Sequence, residues 1–154
     1  MNLKRSIADI IADLSKPLPE DCLEQRKQGG TTLHYVAWHK AVNLLDTYAP
    51  GWSSEVTKMT FSDTRIFLVC RISIPCLEGV VHREATGTEE LDSSSYGDPS
   101  SNAESMAFRR AAAKFGLALY LYDKELRESL LPPKAAAPAS TGKPERKGSL
   151  FKRS

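Results

Sequence analysis

The sequence predicts an α+β fold, an antiparallel three- to four-stranded β-meander packed by a long C-terminal helix, with a disordered basic C-terminal tail. Three observations carry that expectation. Residues 65–74 alternate apolar and polar side chains between two turn signals, as a half-buried strand does. Residues 101–122 carry apolar side chains at helical spacing. From Pro132 onward the composition shifts to Pro, Ala, Lys, Ser and Gly, with too few apolar groups to offset the entropy of ordering. The chain of 154 residues, 26% charged and 41% hydrophobic, therefore divides into one domain over 1–131 and a tail over 132–154.

Leu3, Ile7, Ile10, Ile11 and Leu14 recur at helical spacing until Pro17 and Pro19 stop them. Residues 20–30 read as a polar connector ending in Gly29-Gly30, followed by a short extended run from Thr31 to Tyr35. Trp38, Ala41, Val42, Leu45 and Tyr48 line one side of a second helix that ends before Pro50-Gly51. Three strands follow, Glu55–Phe61, Arg65–Ile74 and Val80–Thr88, joined by Ser62-Asp63-Thr64 and by a turn containing Pro75 and Gly79. In the second of them Ile66, Leu68, Cys70, Ile72 and Ile74 share a face that a helix must cover. Residues 89–100 form a long polar loop whose one aromatic, Tyr96, is placed to touch a ligand.

Ser101-Asn102-Ala103-Glu104 fits a capping box, in which a Ser and a Glu three residues on satisfy each other's backbone N–H groups, and opens a helix to about Tyr122. At ~100° per residue, Phe108, Ala111, Ala112, Phe115 and Leu119 cluster on one side of it. Arg109, Arg110 and Lys114 centre on the other, as a cationic ridge. Trp38, Trp52, Phe108 and Phe115 read as core aromatics.

Charge is unevenly distributed. The tail carries six cations against Glu145 alone, a net of +5, which leaves residues 1–131 with fifteen cations and eighteen anions, a net of −3. A folded body of that balance binds a polyanion only by concentrating its cations on one face. The tail itself reads as a nonspecific arm, a solubilising terminus, or a means of presenting Leu150 and Phe151 to a partner.

Several classes are excluded or unsupported. No stretch approaches the ~18 to 20 apolar residues of a membrane span, and the first residues lack the apolar core of a secretory signal, which points to a cytoplasmic, nucleoid-associated address. Cys22, Cys70 and Cys76 have neither disulfide nor zinc-ribbon spacing and read as reduced thiols. His82-Arg83-Glu84 matches half of a zinc-deaminase signature, but no P-C-x-x-C follows. His34 and His39 are five apart, the wrong spacing for a shared helical face. A phosphate-binding G-x-x-x-x-G-K-[ST] is lacking, and Glu89, Glu90 and Asp92 have no partners that suggest a two-metal nuclease. No cofactor is expected.

Three segments, HYVAWHKAVNLLDTYAPGW, ISIPCLEGVVHREATG and AESMAFRRAAAKFGLALYLYD, follow one another in an order that resembles the Rad fifty-two family of single-strand annealing proteins, including its bacterial branch typified by DdrA. The resemblance implies that Arg109 and Arg110 grip a DNA backbone. A third basic position of the family falls on Ala113, with Lys114 beside it, and a basic position before the first strand falls on Arg26 or Lys27. The family's second DNA track is not carried over, because Leu77 stands where a lysine is expected.

The function so implied is ATP-independent binding of single-stranded DNA and annealing of complementary strands in DNA repair and recombination, by a non-enzymatic protein. A ring or helical homo-oligomer, and a recombinase or single-strand-binding protein as partner, are implied with it. The alternatives are a protein-binding adaptor of the same fold and an undetected metal-dependent hydrolase or deaminase.

Overall fold

The computed structural model describes residues 4–92 and 97–131. The tail from Pro132 and the loop residue Tyr96 lie outside the described residues, as does Leu3 of the first apolar repeat.

Helix α1 (Ile7–Leu14) buries Ile10 and Leu14. Its first turn is capped twice, by the Ser6 hydroxyl, which accepts from the Asp9 N–H at 3.1 Å, and by the Glu78 carboxylate, which accepts from the Ile7 N–H at 3.0 Å. Arg5 donates to the Tyr48 carbonyl at 2.9 Å and pairs with Asp13, tying α1 to the next helix.

The connector expected at 20–30 is a strand. After a short 3-10 turn at Glu20–Cys22, β1 (Leu23–Gln28) pairs antiparallel with β2 (Thr31–Val36). The two-residue loop is Gly29-Gly30, with φ of +56° and +78°, the left-handed pair that a tight hairpin demands. Helix α2 (Trp38–Tyr48) buries Ala41 and Leu45. Trp38 is not a core residue: it stands at the first helical position, 55% exposed, edge-on to His39.

The central sheet runs β3 (Ser53–Phe61), β4 (Arg65–Cys76) and β5 (Gly79–Glu90), antiparallel and in that order. Each strand is longer than the sequence suggests: Ser53 and Ser54 join β3, Pro75 and buried Cys76 join β4, and Gly79, Glu89 and Glu90 join β5. Strand β4 alternates as expected, with Ile66, Leu68, Cys70, Ile72, Ile74 and Cys76 buried on one face. Desolvation pushes the Cys70 thiol up to about 11, so it is packed and protonated.

Helix α3 (Pro99–Ala113) covers that face over β4 and β5. It begins two residues before the expected Ser101, because the Asp98 carboxylate accepts from the Ser100 N–H at 3.1 Å and takes the capping role from the Ser101/Glu104 box. It ends at Ala113 rather than near Tyr122. The approach of α3 to the sheet is close: a Cβ on Gly87 of β5 would lie 1.9 Å from the Ala103 carbonyl oxygen and 2.9 Å from the Ala107 methyl. Alanines on one side and a glycine on the other let backbone meet backbone.

Beyond α3 the chain reverses through Gly116, at φ +101°, and Ala118, at φ +56°. Gly116 also sits against α1, where an added Cβ would reach the Ser15 hydroxyl. Phe115 and Leu117 are buried by this reversal. A 3-10 turn at Leu119–Tyr122 buries Tyr120 and Leu121, and the Tyr120 hydroxyl accepts from the Leu18 N–H at 3.1 Å. Helix α4 (Lys124–Leu130) closes the described chain. Among the described residues, no helix is long and apolar enough to cross a membrane.

Candidate nucleic-acid interface

Helix α3 is wrapped on most sides, which changes how its cations reach solvent. Ala103, Ala107 and Ala111 lie toward the sheet, while Phe108 packs on Trp52, with ring centres 5.9 Å apart. Ala112 and Ala113 are buried too. The expected open ridge opposite an apolar face is therefore absent, and the cations leave through two gaps. Phe108 and Phe115 are core as expected, whereas Leu119 falls outside the helix and is 53% exposed.

Arg109 occupies the first gap, between α3 and the β1–β2 hairpin, with its guanidinium 4.8 Å from the centre of the Tyr35 ring. Partial burial displaces water that would stabilise the cation and draws its pKa below the ordinary value. Tyr122, Tyr35 and Glu24 oppose that shift, and the like charge of Arg26 adds to it. A guanidinium starts so high that it stays charged. Burial, then interaction with Glu24, raises the Tyr35 phenol, which is accordingly neutral. Arg26 is exposed and lies on the hairpin face that Tyr35 shares, since Glu24 pairs with Tyr35 and Arg26 with Leu33. Lys27, one residue on, belongs to the opposite face. The hairpin thus brings Arg26 toward Arg109 and turns Lys27 away.

Arg110 and Lys114 occupy the second gap, at the outer edge of β5. Arg110 Nη1 donates to the Thr86 carbonyl at 2.8 Å and to its hydroxyl at 3.2 Å. Lys114 Nζ donates to the Glu84 carbonyl. Residues 84 and 86 are alternate positions, so their carbonyls lie along the same strand edge. Arg83 completes the cluster, donating to the Lys114 carbonyl at the end of α3 and stacking 4.8 Å over the Phe115 ring. Between the gaps, Tyr122 and Leu119 flank a shallow depression of about 150 Å³ that is lined also by Arg110, Ala113 and Lys114.

Four of the described cations are paired with carboxylates, and the candidate cations are not among them, a property they share with Lys4, Lys40, Lys58, Arg83, Lys124 and Arg127. Arg5 and Lys16 pair with Asp13, Arg65 with Glu90 at 3.1 Å, and Arg71 with Glu84 at 2.6 Å and Glu55 at 3.5 Å. Among the described residues, Arg26, Lys27, Arg109, Arg110 and Lys114 enter no ion pair with a carboxylate. Their donors go to backbone carbonyls and aromatic faces or to solvent. On the open sheet face, Ser73 Oγ lies 2.7 Å from His82 Nδ1, but among the described residues no carboxylate backs the ring as a hydrolytic triad needs.

Sequence reasoning missed Tyr35, Arg83 and Tyr122. The Gly29-Gly30 loop was the available signal for Tyr35, because a two-residue hairpin fixes the register that puts residues 24 and 35 opposite each other. Nothing local marks Tyr122, which depends on where α3 stops.

The sequence profile described as "Rad52/22 family double-strand break repair protein" matches residues 6–136. DNA repair RAD52-like protein 1, mitochondrial, of Arabidopsis thaliana is 35% identical over 125 residues, covering 80% of this chain and 71% of that protein. DNA repair RAD52-like protein 2, chloroplastic, of the same plant is 37% identical over 125 residues, covering 79% of this chain and 63% of that protein. The chain belongs to the Rad52/22 family of double-strand break repair proteins. Both relatives are plant proteins, so these matches support the family and not its bacterial branch in particular.

Proposed function

We propose that the protein binds single-stranded DNA along the two gaps flanking α3 and anneals complementary strands without ATP, metal or catalysis. The observation that carries this reading is the gathering of Arg109, Arg110, Lys114 and Arg26 around one helix, none of them paired with a carboxylate. Such groups bind successive phosphates and release counterions, which gives sequence-independent affinity with strong salt dependence. Holding a strand by its backbone leaves base edges free to pair, and the pairing energy comes from the nucleic acid. Lys27 faces away and contributes least; the basic tail adds local affinity without register.

A homo-oligomer, ring or helical, belongs to the same reading. Strand β3 supports it, since all nine of its residues are exposed on a sheet edge, Val56, Met59 and Phe61 among them. Repeated grooves would hold a long strand through many weak contacts. A recombinase or single-strand-binding protein is the natural functional partner, in whichever compartment single strands arise. The same edge equally favours one rival, an adaptor that binds protein through β3 and ignores DNA.

Annealing of complementary oligonucleotides, without nucleotide or divalent metal, separates the two. Acceleration by the wild-type protein that is largely lost in Arg109→Ala/Arg110→Ala, with the far-ultraviolet circular dichroism unchanged, is the expected result. No acceleration at low salt favours the adaptor.

A further inference from the structure

Resting on the reading above, we infer that the depression over Ala113 is a base-stacking subsite, in which one nucleobase of the bound strand lies face-on against Tyr122 while Arg110 and Lys114 hold the adjoining phosphates. The backbone goes to some trouble to build it. Ala118 is the one non-glycine residue with positive φ among the described residues, at +56°, and its left-handed turn starts the 3-10 segment. Residues three apart on a 3-10 helix eclipse each other, so Leu119 and Tyr122 are presented side by side while Tyr120 and Leu121 go to the core. Leu119 and Tyr122 are left 53% and 60% exposed. Two large apolar side chains are thus uncovered beside buried Ala113, against the two cations.

Charge selects the occupant. The lining holds two cations and no carboxylate, and Tyr122 lies in the field of both Arg109 and Arg110. An apolar protein side chain would gain nothing from those charges; a base with phosphates on either side uses every group present. At about 150 Å³ the depression is on the scale of one flat ring rather than of a helix or strand. Stacking engages the face of a base and leaves its pairing edge free, so the subsite is compatible with annealing. It would set the register of the strand on each protomer and is sequence-tolerant, because every base has such a face.

The test compares a thymine homo-oligomer with an abasic strand of the same length and the same phosphates. Wild-type protein is expected to bind the base-bearing strand about tenfold more tightly. Tyr122→Ala should bring that strand down to the abasic level and leave abasic binding unchanged, while Tyr122→Phe, which keeps the ring, should retain the preference. Tyr122 is exposed enough for truncation to spare the fold, and the abasic strand itself serves as the control for folding. Equal affinity of wild type for both strands, or a Tyr122→Ala loss that is the same on both, overturns the subsite while leaving the phosphate grip intact. Failure of the wild type to bind either strand removes the subsite and the parent reading together.

Discussion

The two edges of the three-stranded sheet are treated in opposite ways. At the β5 edge, α3 approaches within backbone contact at Gly87, and Arg110 and Lys114 reach over to the carbonyls of Thr86 and Glu84. At the β3 edge none of the described residues covers the strand, and Val56, Met59 and Phe61 continue the apolar face of β4 past the end of the helix cover. An unpaired strand edge invites another strand, and cations along it deter one. Among the described residues, β3 is thus the more open edge for a further strand. In the proposed reading the side chains that close β5 are also the ones offered to phosphate.

The largest difference between the two edges is expected at Gly87. A valine there must push α3 off β5, and the expected loss exceeds ~3 kcal/mol, enough to abolish folding of a marginal domain. Val56→Thr on the other edge should cost within ~0.5 kcal/mol in the isolated protomer. Urea unfolding of the two variants checks the contrast, and equal losses would mean that β3 is not open.

Charge on the open edge sharpens it next. Phe61→Lys, at a position 58% exposed, should leave protomer stability nearly unchanged while shifting any self-association at least tenfold, ~1.4 kcal/mol, toward the protomer. Sedimentation of both proteins over a concentration series reads this out. Unaltered assembly would direct attention to another surface.

The smallest effect concerns α1, which anchors the turn beyond α3. Hydrogen bonds from Lys16 and Arg5 hold the Asp13 carboxyl below its ordinary 3.8, and the Ile7 N–H holds Glu78 below its ordinary 4.5. Groups depressed in the folded state contribute stability that is present above their unfolded values and lost as pH falls through the folded ones. Protection factors for amide exchange at Ile10 and Leu14 should therefore fall below about pH 4, before those of the β4–β5 ladder do. Simultaneous opening would count against a separate role for these carboxylates.

Much of this was legible in the sequence, for reasons that differ by element. Strand β4 alternates cleanly because one face is buried and the other is not. Strand β1, LEQRKQ, has almost nothing apolar to alternate, since residues 24–27 are exposed, so only Gly29-Gly30 betrayed it. The limits of α3 misled because capping is decided by whichever side chain reaches the free N–H groups, and Asp98 precedes Ser101. Arg109 and Arg110 stood out as a basic pair, but their separation into two gaps is tertiary: it depends on alanines buried around the whole helix, which periodicity alone assigns to one side. Trp38 was misjudged because the position opening a helix needs no burial.

The central claim, that unpaired cations around α3 grip a phosphate backbone, is tested most directly by the salt dependence of single-strand affinity in wild type and Arg109→Ala/Arg110→Ala. Two lost phosphate contacts, at ~0.7 each for a single strand, should flatten the slope of log affinity against log salt by about 1.4. Affinity should fall alike on every sequence. An unchanged slope with unchanged affinity would contradict the account.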